Sequence, residues 1–346
     1  MNARGTKIIA IVGPTASGKS ELAVKIALRL GSRQAKRRFN INGAEIISAD
    51  SRQVYKGLNI GTGKVAGRWK KQGAMIYRYI VADKKPALNT HNQFIYKGIP
   101  HHCIDFTSPK KLFTVVDFKK CAQNAIKDIT SRGKIPILCG GTGFYIDAVL
   151  YDLPIPDVPP NWKLRAELSK KSTAELFLVL KKLDPKRAKT IDPHNPRRLI
   201  RAIEIVKTAH RLIPPIPRLS LVFKAKPWNS LILGIKIPRE KLYKRIDQRL
   251  KQRLKQGMIR EVKNLLKKGV SHKRLQSLGL EYRFISLYLQ KKLTYEEMAE
   301  KLKNAIHQYA KRQITWFRRN KDIHWIQSNQ KTEKRVMNLS RQFLKN

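Results

Sequence analysis

Residues 13–20 read Gly13-Pro14-Thr15-Ala16-Ser17-Gly18-Lys19-Ser20 and follow directly on the apolar run Ile8-Ile9-Ala10-Ile11-Val12. Glycines at this spacing let backbone N–H groups turn inward around phosphate oxygens. Lys19 adds a point charge, and the Ser20 hydroxyl is suited to ligate Mg²⁺. The apolar run reads as a buried strand, and Glu21-Leu22-Ala23-Val24-Lys25-Ile26-Ala27-Leu28 as the helix that follows the loop. A strand, a phosphate loop and a helix in this order commit the chain to an α/β architecture. The loop implies a diphosphate or triphosphate ligand and leaves open whether phosphate is transferred, hydrolysed or expelled.

The 346-residue chain carries 73 Lys and Arg against 24 Asp and Glu, a formal net charge of +49. The excess runs along nearly the whole chain rather than one tail, which points to a polyanionic partner. No apolar stretch has the length of a transmembrane helix, and the first strand begins too close to Met1 for a cleavable signal, so a cytoplasmic protein without membrane contact is expected. Cys103, Cys121 and Cys139 are widely spaced and include no CxxC pair, which argues against a disulfide framework and against a zinc site. His101-His102 reads as strand-end packing rather than a metal site.

Further strands are expected at Glu45–Ala49, His102–Asp105, Ile135–Cys139 and Leu231–Ile237, mostly separated by helical periods. The fold class is therefore a P-loop NTPase-like parallel sheet flanked by helices. Between the first strands, Ser32 to Arg38 reads as a basic loop, and Arg68-Trp69-Lys70-Lys71 with Tyr77-Arg78-Tyr79 as a small hairpin or flap. Two proline-rich breaks, Leu153 to Pro160 and Ile213 to Pro217, bracket helical periods at Asn161–Lys171, Thr173–Leu183 and Pro196–His210. They divide the chain into a first part of the catalytic core (1–152), an all-helical insertion lobe (153–218) and a second part of the core (219–346). Downstream, Leu242, Ile246, Leu250 and Leu254 form a buried stripe beside Arg245, Arg249 and Arg253. The last long helix is expected to start at Thr294, where Thr294 and Glu297 make a capping box, with Met298, Leu302, Ile306 and Tyr309 on its apolar face.

The second strand runs out through Ser48-Ala49-Asp50-Ser51-Arg52-Gln53, which places Asp50 at the carboxyl edge where ligands of open α/β sheets collect. Asp50 is a candidate general base, or else a helix N-cap. The strand ending in Cys139-Gly140-Gly141-Thr142-Gly143 has no acidic residue at its tip, which weakens an ATPase reading.

Several segments in order, namely 13–20, Ser48 to Tyr55 with Gly57 to Thr62, His101-His102 with Ile104-Asp105, Gly140 to Tyr145, and Arg312-Gln313-Ile314-Thr315-Trp316-Phe317-Arg318, resemble the tRNA dimethylallyltransferase family. The resemblance spans about residues 7–326. It implies transfer of a dimethylallyl group from dimethylallyl diphosphate to N6 of the adenosine 3′ of the anticodon, with release of diphosphate, Mg²⁺ as cofactor and tRNA as partner of a monomeric enzyme. By the same resemblance Asp50 is the base, Thr15 lies beside the diphosphate and Arg249 contacts its phosphates; a solvated helix face is the alternative for Arg249 and the role expected of Arg253. Asp50, Ser51, Arg52, Gln53, Thr142, Arg165, the run Arg197-Arg198-Leu199-Ile200-Arg201, and Gly279, Tyr282 and Arg283 would meet the anticodon stem-loop. Tyr282 would stack an extruded base or else sit at the core edge. The helical lobe would clamp the stem-loop.

Two other enzymes could use the same loop and aspartate. A small-molecule or nucleoside kinase would deprotonate an acceptor hydroxyl, and a prenyltransferase of free AMP would need neither the helical lobe nor the charge. A non-catalytic RNA-binding protein is set against by the intact set Lys19, Ser20, Asp50 and Arg249.

Overall fold

The computed structural model describes residues 5–71, 92–209 and 227–345. In chain order its elements begin β1 (Lys7–Val12), α1 (Lys19–Leu30), α2 (Arg33–Phe39), β2 (Ala44–Ser48), β3 (Arg68–Lys71), β4 (Asn92–Tyr96), β5 (Ile99–His102), α3 (Val115–Ser131), β6 (Ile135–Gly140) and α4 (Gly143–Leu150). Next come α5 (Trp162–Leu168), α6 (Thr173–Leu183), α7 (Pro185–Ala188) and α8 (Pro196–Ala209). The chain then returns through β7 (Asn229–Lys236), α9 (Arg239–Lys255), α10 (Met258–Lys267), α11 (His272–Leu278), α12 (Leu280–Leu289), α13 (Tyr295–Arg318), β8 (Ile323–Gln327) and α14 (Thr332–Lys345).

The eight strands of the described residues form one sheet in the order β3-β4-β5-β2-β6-β1-β7-β8. Six of them, from β5 to β8, pair in parallel, whereas β3 and β4 add an antiparallel edge to the expected parallel sheet. Ile8, Ile9, Ala10, Ile11 and Val12 are wholly inaccessible. Helices covering both faces of the central strands account for an unbroken apolar run with no alternation. The register sets Val12 beside Gly140 and Ser48 beside Cys139, so β1, β2 and β6 end together at one carboxyl edge.

Three local expectations are corrected. The basic segment after Ser32 is a helix, capped by the Ser32 hydroxyl accepting from Ala35 N–H at 3.2 Å; only Ala35 of its residues is buried, so it offers almost no apolar period to read. The strand expected at His102–Asp105 lies at Ile99–His102, because Cys103 and Asp105 take left-handed backbone conformations that end the extended run. The helix starting after Thr294 is not the last: β8 and the 14-residue α14 follow it. Tyr77-Arg78-Tyr79 and Ile213 to Pro217 lie outside the described residues.

The chain divides into two compact units, Met1–Leu150 with Lys226–Asn346, and Tyr151–Ala225. The second has a core of its own, built from Leu168, Leu176, Leu180, Leu199 and Ile203. Its α6 starts at a reciprocal capping box between Ser172 and Glu175. Among the described residues no helix is long and apolar enough to cross a membrane.

Candidate active site

The phosphate loop leaves the end of β1 through Gly13, Ala16 and Gly18, all at positive φ, and Gly18 hands over to α1 in the left-handed conformation. Lys19 lies behind the loop, its ammonium donating to the Pro14 carbonyl at 3.1 Å. Burial pushes Lys19 below its usual pKa, and the neighbouring Arg249 adds to the shift while Asp50 opposes it. Arg249 is lowered to about 10, first by burial and then by Arg253. Two half-buried cations beside one loop favour an anion between them. The Ser17 hydroxyl, buried without a hydrogen-bond partner in the same loop, fits that preference.

Arg249 reaches the loop from the middle of α9 and donates from Nη2 to the Thr15 hydroxyl. Thr15, Lys19, Ser20, Asp50, Gln53 and Arg249 line one cavity of about 70 Å³. The residues expected to hold the diphosphate and the expected base are therefore brought together. Asp50 follows β2, and its Oδ1 accepts from the N–H groups of Arg52 at 2.8 Å and Gln53 at 3.4 Å. It thus caps a turn rather than the helix anticipated as its alternative role, and this pins the carboxylate at the cavity wall.

The acceptor-side candidates of the first unit also cluster. Ser51 N–H donates to the Thr142 hydroxyl at 3.2 Å, and Thr142 N–H to the Ala49 carbonyl at 3.3 Å. A Cβ at Gly140 would collide with the Ala49 carbonyl, so a side chain there would push the two strand ends apart. Gly279 lies against Arg52, and a Cβ placed on it would meet Arg52 Cγ at 3.8 Å. Arg283 is exposed, with Nε donating to the Gln276 carbonyl at 3.3 Å.

Two expectations about side chains are overturned and one pair of alternatives is decided. Tyr282 is 1% exposed and its hydroxyl donates to Glu261 at 2.8 Å, so of its two expected roles it takes the core one and offers no face for base stacking. Leu199 is wholly buried in the core of the second unit. Arg253, expected on a solvated face, is buried; it donates to the Gly61 carbonyl at 3.3 Å and pairs with Glu281 at 3.7 Å. In the second unit Arg165 forms a two-pronged pair with the buried Glu204, both bonds 2.7 Å, and Arg201 joins the same carboxylate. Arg197 and Arg198 are exposed and Ile200 is half-buried.

Two residues that shape the site were not singled out from sequence. Glu261 accepts from the N–H groups of Asn59, Ile60 and Gly61 at 2.9, 2.7 and 3.1 Å, fixing the loop that carries Thr62 and Gly63 to the cavity. Gln313 accepts from Thr15 N–H at 2.8 Å and donates to the Gly141 carbonyl at 2.7 Å. Gln313 stood in a quoted motif without a role, whereas Glu261 lies 200 residues from Gly61 and carried no local signal.

Among the described residues no group of three or more His, Cys, Asp or Glu is gathered for a metal ion. A divalent cation here would therefore rely on Ser20 and on the ligand's own phosphate oxygens, the usual arrangement for Mg²⁺ at a phosphate site.

The profile of the IPP transferase family matches residues 75–320. The chain is 38% identical over 339 residues to a protein of Anoxybacillus flavithermus named tRNA dimethylallyltransferase, covering 96% of this chain and 94% of that one. It is 43% identical over 323 residues to tRNA dimethylallyltransferase 1 of Porphyromonas gingivalis, covering 92% and 93%. Among solved structures, the tRNA isopentenylpyrophosphate transferase of Staphylococcus epidermidis superposes with a TM-score of 0.63 at 32% identity, covering 99% of this chain and all of that one. A eukaryotic dimethylallyltransferase described as acting on tRNA gives 0.70 at 25% identity, covering 99% of this chain and 80% of that one. Sequence and fold agree over nearly the whole length, and the chain belongs to the IPP transferase family.

Proposed function

We propose that this chain transfers a dimethylallyl group from dimethylallyl diphosphate to N6 of the adenosine 3′ of the anticodon in tRNA, releasing diphosphate. The observation that carries the reading is the single cavity shared by Thr15, Lys19, Arg249 and Asp50. The names of the relatives weigh for a prenyl transferase and against the kinase alternative.

In the proposed reaction the C–O bond of the allylic diphosphate breaks as a bond forms between that carbon and N6, and the N6 proton passes to Asp50. Negative charge builds on the departing oxygens. Lys19 and Arg249, both on the wall of the cavity, are placed to stabilise it, most strongly in the transition state. Ser20, together with the diphosphate oxygens, would hold Mg²⁺, which would further neutralise that charge. An exocyclic adenine amine becomes acidic only as its nitrogen bonds carbon, so a nearby carboxylate suffices as base. The base must leave its stack to reach Asp50. Ser51, Arg52, Gln53 and Thr142 line its approach, and the exposed Arg197 and Arg198 of the second unit contact stem phosphates. The same reading has the chain act as a monomer in the cytoplasm, where the free thiols Cys103, Cys121 and Cys139 stay reduced.

The test is incubation of the purified chain with dimethylallyl diphosphate and, in parallel, with an anticodon stem-loop or with AMP, followed by nucleoside mass spectrometry. Prenylated adenosine from the stem-loop alone is expected. Prenylated AMP without modified RNA would replace the acceptor, and ADP formation from ATP with neither would replace the reaction.

A further inference from the structure

One face of α13 splints the two halves of the cavity. Tyr309, Gln313 and Trp316 lie at i, i+4 and i+7, a single helical stripe, and it faces the segment that runs from the end of β6 into α4. Tyr309 meets the Thr142 side chain. Trp316 donates from Nε1 to Asp147 at 2.9 Å and stands edge-on to Phe144 with centroids 6.2 Å apart. Between them Gln313, 6% exposed, turns toward the phosphate loop. Its two bonds fix its orientation, because the Thr15 N–H can only donate and the Gly141 carbonyl can only accept. A Cβ on Gly141 would collide with the Gln313 amide and one on Gly143 with the Trp316 ring, so the glycines in this segment are what allow the helix to come so close.

The two partners of Gln313 belong to opposite sides of the chemistry. Thr15 carries the contact to Arg249, on the side of the diphosphate. Gly141 precedes Thr142, whose hydroxyl holds Ser51 next to Asp50, on the side of the base. We propose that Gln313 is a positioning residue that sets the spacing between the Thr15–Arg249 pair and the Asp50–Thr142 edge, so that the breaking C–O bond and the attacking amine are aligned. It carries no charge and touches no reacting atom in this arrangement. Its loss loosens alignment, and a misplacement of about 1 Å costs on the order of 100-fold in rate.

The inference rests on the proposed reaction for its rate measurement and is given a second, independent readout. Gln313→Met keeps length and volume and removes both hydrogen bonds. Gly141→Ala leaves Gln313 in the chain but drives its amide out of place. Single-turnover rates on an anticodon stem-loop with dimethylallyl diphosphate, stem-loop Kd, melting temperature and affinity for magnesium pyrophosphate are measured for wild type, both variants and the double variant. Each single variant is expected to slow the bound-state rate by about 30- to 100-fold while stem-loop Kd stays within about threefold. Affinity for pyrophosphate should fall in both, and the double variant should be no more than about threefold slower than the worse single one. A rate per folded molecule within about threefold of wild type, with only the melting temperature lowered, would make Gln313 structural and overturn the proposal, as would fully multiplicative losses. If Gln313→Met does not fold, Gly141→Ala alone decides by the same criterion. If the wild type makes no prenylated nucleoside, the proposed function fails; unchanged pyrophosphate affinity in the variants then separately overturns the role of Gln313.

Discussion

Arg249 donates to the Thr15 hydroxyl across 234 residues of sequence, tying the phosphate loop to the middle of α9. The contact gives the phosphate loop a second half-buried cation beside Lys19, which in the proposed reaction serves to hold and then release a diphosphate.

Replacing this cation exposes its purpose. Arg249→Gln keeps a donor near Thr15 but removes the charge, and it should lower kcat/KM for dimethylallyl diphosphate by about 100- to 1,000-fold. Most of the loss should fall in kcat, because charge on the leaving oxygens is greatest in the transition state. Steady-state kinetics at saturating stem-loop checks this, and a change confined to KM would mean that Arg249 binds the ground state only.

Asp50 both caps a turn and faces the cavity, and Asp50→Asn separates the two roles. The asparagine oxygen can still accept from Arg52 N–H, so the turn and the stem-loop Kd should be preserved. The rate of prenyl transfer should fall by about 100- to 10,000-fold. Single-turnover kinetics beside a binding isotherm gives both numbers, and an unchanged rate would remove Asp50 as the base.

Asp147 is buried against Trp316, and burial lifts its pKa to about 6, only partly offset by the Trp316 N–H and by Arg319. Since the folded pKa is above the unfolded one, this group's contribution to stability is fully present below about pH 4 and is lost as pH rises through about 6. Asp147→Asn keeps an acceptor for Trp316 and escapes ionisation. The variant should gain stability relative to wild type between pH 4 and pH 7, by about 1–3 kcal/mol at the upper end. Urea unfolding at several pH values measures the difference; a gap independent of pH would contradict it.

Glu45 gives the opposite dependence. Its buried carboxylate is held well below the usual range, although burial alone would raise it, because Arg132, His102 and Lys134 all bond to it. The stabilisation is present above the ordinary carboxylate pKa and is lost as pH falls toward the depressed one. Glu45→Gln should cost about 3 kcal/mol at pH 7, since it removes the buried negative charge that Arg132 and Lys134 share. The cost should shrink in acid, as followed by melting temperature from pH 7 down to pH 3.

What could be read from the sequence was what is contiguous in it. Ile8 to Ser20 carries strand, loop and helix start within one short stretch, and β2 with Asp50 follows the same logic. The remainder depends on partners far apart in the chain. Arg253 looked like one rung of an exposed basic stripe; only the approach of the 59–63 loop and of Glu281 buries it. Tyr282 sat among basic residues as a surface aromatic would, yet its ring packs so close to Gly61 that a Cβ there would collide with it. The strand β8 was missed because Ile323 and Ile326 alone of its residues are buried, three apart rather than in alternation. The segment α2 read as a loop because charge, not apolar period, dominates it.

The central claim is that the phosphate loop expels diphosphate while carbon, not phosphorus, passes to an RNA base. It is tested most directly by counting products in one reaction of the chain with dimethylallyl diphosphate and an anticodon stem-loop. One diphosphate released for each prenylated adenosine, at the position 3′ of the anticodon, is predicted. Diphosphate release with no modified nucleoside, or a phosphorylated product formed at the expense of ATP, would contradict it.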